Sequence, residues 1–378
     1  MTEPKDELSP SPANMPARIS RCQHATSTHV PRHWAVIETL DEGSEGTVIA
    51  DGPHPRRFSK LNRVSLAPTI GVVRRIHPVI AQCVADRRFV METMTLACGA
   101  SIKIVGVPIL GPYGHVRAVC VWIGEADAAL PPVPDVGVLE WDAAVVVAAS
   151  VAARTLLLGD ESVETSLLPD MLSNLDRFES RSDFLALLSL DDPIDEWIGS
   201  ATRTFSDGTP HRLQIAARAD GAGPGRRVRA VVCEVVDGTQ TRLTPEMYLR
   251  AMRHVPILPG HALAMVDLNA KVIHDWIATD GDPMAGWCHH RPLLHPDDQV
   301  RILATCEALL VGSVMTASVR GRIRFDPGDE WIELESRWTR IMEGDQPQAL
   351  VHIAVIPPLP TSIVDDCPRC RRAADSAA

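Results

Sequence analysis

One pattern constrains this chain more than any other: a helix followed by a hairpin, written twice. Near the C-terminal end, Leu294-His295-Pro296-Asp297-Asp298 opens a helix-like run from Gln299 to Leu310. Arg320 to Phe325 and Glu330 to Trp338 then read as strands joined by Asp326-Pro327-Gly328-Asp329, and a third apolar strand, Ala349 to Ile356, closes the block. A shorter copy lies upstream. Leu190-Asp191-Asp192-Pro193 opens a short helical run to Ser200, Arg203-Thr204-Phe205 leads into the turn Ser206-Asp207-Gly208-Thr209, and His211 to Arg218 and Arg227 to Val236 follow as strands. A repeated supersecondary unit points to a modular fold. No catalytic group accompanies either copy, which favours a sensor or scaffold over an enzyme.

The rest of the chain extends this modular reading. Residues 1–30 are polar and rich in Pro, Ser and Thr, with too little apolar surface to offset chain entropy, so disorder is expected there and in the polar tail 359–378. The first folded block, 31–158, starts with strands Trp34 to Leu40 and Gly46 to Ala50. Thr69 to Ala85 carries Val72, Val73, Ile76, Val79, Ile80 and Cys83 at helical spacing. Met91 to Leu96 reads as a strand. Ser101 to Leu110 and His115 to Ile123 form a hairpin around Gly111-Pro112-Tyr113-Gly114. After a Pro-rich link, Val138 to Leu158 reads as a long helix dense in Val and Ala. Its stripe of Val145, Val146, Ala149, Ala152, Ala153 and Leu156 offers either a homodimer contact or packing on its own sheet. A middle unit is placed at 159–240. The last block, 241–358, begins with a connecting helix from Thr244 to Arg253 and a hairpin of Ala262 to Leu268 and Lys271 to Trp276.

Charge and cysteine usage exclude several classes. The net charge of −11 opposes nucleic-acid binding, which needs a basic field. The longest apolar stretch, Ala143 to Ala153, falls short of the roughly 18 residues of a membrane span. Met1 to Ala17 lacks the apolar core of a signal peptide. The nine cysteines are odd in number and scattered, several of them inside apolar periodic segments, where a thiol behaves as a small hydrophobe. A reducing, cytoplasmic location is expected. Only 4 of the 37 basic residues are Lys, a bias similar to high-GC actinobacterial coding.

The C-terminal block resembles a PAS domain. The residues that carry this are Met265-Val266-Asp267-Leu268-Asn269-Ala270-Lys271-Val272-Ile273, similar to the opening hairpin with its Asp-x-x-Gly turn, although Ala270 stands where Gly is usual. His295-Pro296-Asp297-Asp298 resembles a helix start common in such folds, and Arg322-Ile323-Arg324-Phe325 with Trp331 and Arg337 resembles the following hairpin. The first block looks like a GAF or PAS-like domain through Val105 to Leu110, the glycine turn and Val116 to Val121. The middle unit looks like an abbreviated PAS unit. The resemblance, to actinobacterial tandem GAF/PAS-like proteins, covers about 34–357. It implies an α+β fold of three tandem modules, each an antiparallel sheet with helices on one side.

That scaffold implies a pocket between sheet and helices. On the strand 330–338, Ile332, Leu334, Ser336 and Trp338 share one face. Met265 or Val266, Ile323, Val351 and Ile353 join them. These residues either fill the core or line a site for a small apolar ligand. No cofactor is named by the sequence: flavin, haem and cyclic-nucleotide signatures are missing, as are a Gly-x-Ser-x-Gly elbow, a P-loop and His-Glu-x-x-His. Gly221 to Gly225 sits in a strand–strand loop, unsuited to phosphate. Cys367-Pro368-Arg369-Cys370 has no second ligand pair nearby. Cys288-His289-His290 with His295 is crowded in sequence without metal-site spacing, and His295-Pro296 reads as a helix start whose Asp297 and Asp298 suit the positive helix end. No catalytic or metal residue is expected.

The expected role is non-enzymatic signalling or regulation by ligand sensing or protein–protein contact. With no output block in the sequence, a protein partner is expected to carry the signal. A protein-binding scaffold with filled cores and a Cys/His metal or redox switch are the alternatives.

Overall fold

Three antiparallel sheets, each with its first strand hydrogen-bonded beside its last, organise the computed structural model. It describes residues 33–356 apart from 42–44, 65, 67–68, 98, 143–145, 160–164, 190–193, 222–224, 237–254, 279–283, 285–286, 288–290 and 344–345. The Thr244–Arg253 helix, the Leu190–Pro193 helix start, Cys288, His289, His290, Cys367 and Cys370 therefore lie outside the described residues.

The first sheet has the order β3-β2-β1-β6-β5-β4. Its strands are β1 (Ala35–Glu38), β2 (Thr47–Asp51), β3 (His54–Ser59), β4 (Val90–Thr95), β5 (Ser101–Leu110) and β6 (Val116–Glu125). Helix α1 (Ile70–Asp86) packs on it with Val72, Ile76, Val79, Ile80 and Cys83 buried. Thr69 caps the helix by accepting from the Val72 amide, and Arg87 ends it in the left-handed region. The β5–β6 hairpin turns where expected, with the Gly114 amide donating to the Gly111 carbonyl and Gly114 at φ +76°.

The second sheet has the order β10-β11-β12-β13-β7-β8-β9. It comprises β7 (Val136–Asp142), β8 (Val146–Ala149), β9 (Thr165–Leu167), β10 (Arg177–Phe178), β11 (Glu196–Thr204), β12 (Pro210–Asp220) and β13 (Arg227–Glu234). Three short helices, α2 (Val151–Leu157), α3 (Leu168–Ser173) and α4 (Arg181–Leu185), supply much of its core. Phe178 stacks on Trp197, and Phe184 meets both rings edge-on.

Two segments expected as helix are strands for much of their length. Val138 to Leu158 is no long helix: it is β7, β8 and the two-turn α2. β7 is a central strand buried on both faces, with Leu139 and Trp141 in the second module's core and Val136 in the core shared with the first sheet. A strand buried on both sides loses the alternation that distinguishes it from a buried helix. The Val/Ala stripe is thereby broken up. Val146 and Ala149 sit on β8, and Ala153 and Leu156 pack into the module's own core, so the homodimer contact through a 138–158 helix falls away. Likewise Glu196 to Ser200, expected as helix, is strand β11, whose Trp197 and Ile198 pack on opposite faces.

The first two sheets pack face to face. Trp34, Val36, Ile49, Cys120 and Trp122 meet Val136, Ala216, Val231 and Cys233 in one apolar layer. Burial pushes the Cys233 thiol up to about 12. The rim of this layer is ionic: Glu38 is fully buried and accepts from Arg218 at 3.1 Å, and Arg117 donates to Glu140 at 3.0 Å.

The third sheet has the order β15-β14-β19-β18-β17-β16. Its strands are β14 (His261–Asp267), β15 (Val272–Ala278), β16 (Leu293–Leu294), β17 (Thr316–Arg324), β18 (Ile332–Glu343) and β19 (Gln346–Val355). The β14–β15 turn is held by Asp267, whose carboxylate accepts from the Ala270 amide at 2.8 Å. The left-handed residue is Lys271, at φ +56°, so Ala270 incurs no left-handed strain where Gly was expected. Helix α5 (Pro296–Leu310) contacts β17, β18 and β19, and α3 of the second module packs on the edge strand β15.

Candidate functional site

α5 begins at Pro296, with His295 as its cap and Asp297 and Asp298 in the first turn. Asp298 is fully buried. Its carboxylate accepts from the Arg322 side chain and amide, each at 2.9 Å, and from Arg301. The Arg322 hydrogen bond, helped by Arg301, holds the Asp298 carboxyl down at about 2. This carboxylate ties the start of α5 to β17 and fixes the gap between helix and sheet.

In that gap lies a cavity of about 540 Å³, within the range of small-molecule sites. Of the residues expected from sequence, Val266, Ile323, Leu334, Ser336, Trp338, Val351 and Ile353 line it. Met265 and Ile332 do not. Met265 alternates away from Ala264 and Val266 and sits opposite Asp275 on the other face of the sheet, which settles the choice between Met265 and Val266. Ile332, at the start of β18, packs against the same core beyond the cavity wall. The Ser336 hydroxyl donates to the Val319 carbonyl at 2.9 Å and accepts from the Trp338 indole at 3.0 Å, so the deep polar groups satisfy one another.

The remaining walls were missed. α5 contributes Gln299, Ile302, Leu303 and Cys306. The three-to-four-residue spacing of Gln299, Ile302/Leu303 and Cys306 was a legible signal for one inward helix face. Burial pushes the Cys306 thiol up to about 11, so it serves as a neutral wall. Trp287 stacks on Trp276 at 4.5 Å and closes another side. Leu188 of the second module also lines the cavity, while Ala270 and Val272, likewise in its wall, belong to the second module's core. Nothing in local sequence announces a wall shared between modules. Exposed Arg291, Gln299 and Leu303 mark the mouth. Among the described residues no group of three or more His, Cys, Asp or Glu is placed to hold a metal ion, and no helix is long and apolar enough to cross a membrane.

Behind the cavity the second and third modules share a buried polar cluster. Fully buried His274 pairs with Gln348 at 2.7 Å, and Arg181 of α4 approaches Asp275 at 3.8 Å. Burial, reinforced by the Arg181 cation, pushes the His274 imidazole down to about 3, so it is neutral.

Residues 33–132 match the protein-family profile described as Rv3651-like, N-terminal. No curated protein matches the chain. Among solved structures, an uncharacterized protein from Mycobacterium tuberculosis is similar over 92% of this chain and 99% of its own, with 21% identity and a TM-score of 0.64. An RNA-binding light-oxygen-voltage receptor (10% identity, 58% of this chain and 95% of its own, TM-score 0.23) also matches. So does a sensory box histidine kinase/response regulator from Burkholderia thailandensis (20% identity, 32% and 88%, TM-score 0.21). The chain thus shares its fold with the mycobacterial protein, and its residues 33–132 are similar to the Rv3651-like N-terminal family.

Proposed function

We propose that this chain is a non-enzymatic signalling or regulatory protein built of GAF/PAS-like modules, in which the third, PAS-like module senses a small apolar ligand and a protein partner carries the signal onward. The observation that carries this reading is the cavity between α5 and the third sheet. Its size suits a small molecule, and its wall is mainly aliphatic and aromatic, with the deep polar groups already hydrogen-bonded to each other. The sharing of its wall with the second module supports signalling, since occupancy is then felt outside the module that binds.

The test is a titration of the full chain with an environment-sensitive apolar dye. Gly321→Phe serves as the filled-cavity variant: Gly321 lines the cavity, and a side chain started there meets nothing closer than Ile302 at 3.6 Å. The expected result is one saturable site that the variant loses. A dye signal unchanged by Gly321→Phe would place binding elsewhere and overturn the reading.

A further inference from the structure

The cavity in the third module has a charge asymmetry. Among the described residues no Asp or Glu lines it, whereas two cations do, Lys271 and Arg291. The two differ in what they already hold. Lys271 donates to Glu307, which is not part of the wall, so its charge is matched. Arg291 is exposed at the mouth and forms no ion pair among the described residues. Beside it, among the described residues, the rim carries the neutral amide of Gln299 and the apolar Leu303. Inward from the rim the wall turns apolar, through Ile302, Leu334 and Trp338 to Val351.

From this we propose that the ligand is an amphipathic anion: an apolar chain seated between α5 and the sheet, with one carboxylate or phosphate head held at the mouth by Arg291. The inference rests on the ligand-sensing reading above and adds the ligand's class to it. A guanidinium presents a planar fork that matches the two oxygens of such a head, and it keeps its charge at any physiological pH. A neutral head would leave the Arg291 charge, unmatched among the described residues, unused. A cationic head would meet two cations and, among the described residues of the wall, no carboxylate. The mouth position lets the head stay partly hydrated, so binding requires full desolvation of the chain alone.

The experiment is calorimetric titration of the full-length protein with myristate, tetradecyl phosphate and tetradecanol, on wild type, Arg291→Gln and Gly321→Phe. The wild type is expected to bind at least one of the two anions about fivefold more tightly than the alcohol, the scale of a partly exposed ion pair. Arg291→Gln is expected to bring anion and alcohol to similar affinity, and Gly321→Phe to lose all three. Which anion binds more tightly identifies the head. Equal affinity of the wild type for anions and alcohol, or a preference that survives Arg291→Gln, overturns the head-group assignment while leaving the apolar cavity standing. Binding of none of the three, together with no dye site, overturns the ligand-sensing reading itself.

Discussion

Across the boundary between the second and third modules, the Arg181 guanidinium lies 3.8 Å from the Asp275 carboxylate, with the two side chains 3% and 1% exposed. Two charges so withdrawn from water are costly to separate, because the survivor keeps its desolvation penalty without its counter-charge. Asp275→Ala is expected to destabilise the full chain by about 3 kcal/mol. Replacing both partners by apolar residues, Asp275→Leu with Arg181→Met, is expected to recover most of that loss. Denaturant unfolding of the two variants measures the difference.

His274 makes this junction acid-sensitive. Its folded value, near 3, lies below the ordinary 6.5. Above pH 6.5 both folded and unfolded chains hold the neutral imidazole and the group has no effect. As pH falls from 6.5 toward 3, the unfolded chain takes up a proton that the folded one refuses, so stability declines. The loss is about 2 kcal/mol at pH near 5. His274→Gln is expected to flatten this slope in a series of unfolding midpoints against pH.

Asp298 responds at lower pH and for a different reason. Its folded carboxyl, held down at about 2 by Arg322 and Arg301, contributes stability that is fully present above about pH 4 and is lost as pH falls through 2. Asp298→Asn removes this contribution and loosens α5 from β17. Because Arg322 and Arg301 are 35% and 60% exposed and can rehydrate, the cost is expected to be about 1 to 2 kcal/mol at neutral pH. Amide exchange in α5 should rise more than exchange in the first module.

Gly137 gives a test whose sign depends on local structure. In a helix, Gly→Ala stabilises by about 1 kcal/mol. In β7 as it stands, an added Cβ meets the Ala153 backbone nitrogen and Cα at 2.4 Å, where neither strand nor helix α2 has room to yield. Gly137→Ala is therefore expected to destabilise by about 2 kcal/mol. A stabilised variant in thermal unfolding would restore the helical reading of this segment.

That segment shows where the sequence is legible and where it is not. α1, α5 and the β5–β6 and β14–β15 hairpins could be read because each shows one buried face against one solvated face, or a turn punctuated by Gly or Asp. β7 and β11 could not, because Leu139 and Val136 are buried on opposite sides, as are Trp197 and, in part, Ile198, and this erases the period. In the cavity, two-residue alternation located Leu334, Ser336 and Trp338 from β18 alone. It failed at Ile332, where the strand has only begun. It could not reach Leu188 or Arg291, which arrive through tertiary packing and not through any strand period.

The central claim is that the cavity between α5 and the third sheet is a ligand site and not an incompletely filled core. Native mass spectrometry of the full-length protein as purified, with denaturing analysis of anything released, tests it most directly. The account predicts a small molecule at near one per chain in the wild type and none in Gly321→Phe. A clean apo mass for the wild type, with no dye site in titration, would contradict it and leave a scaffold that binds proteins alone.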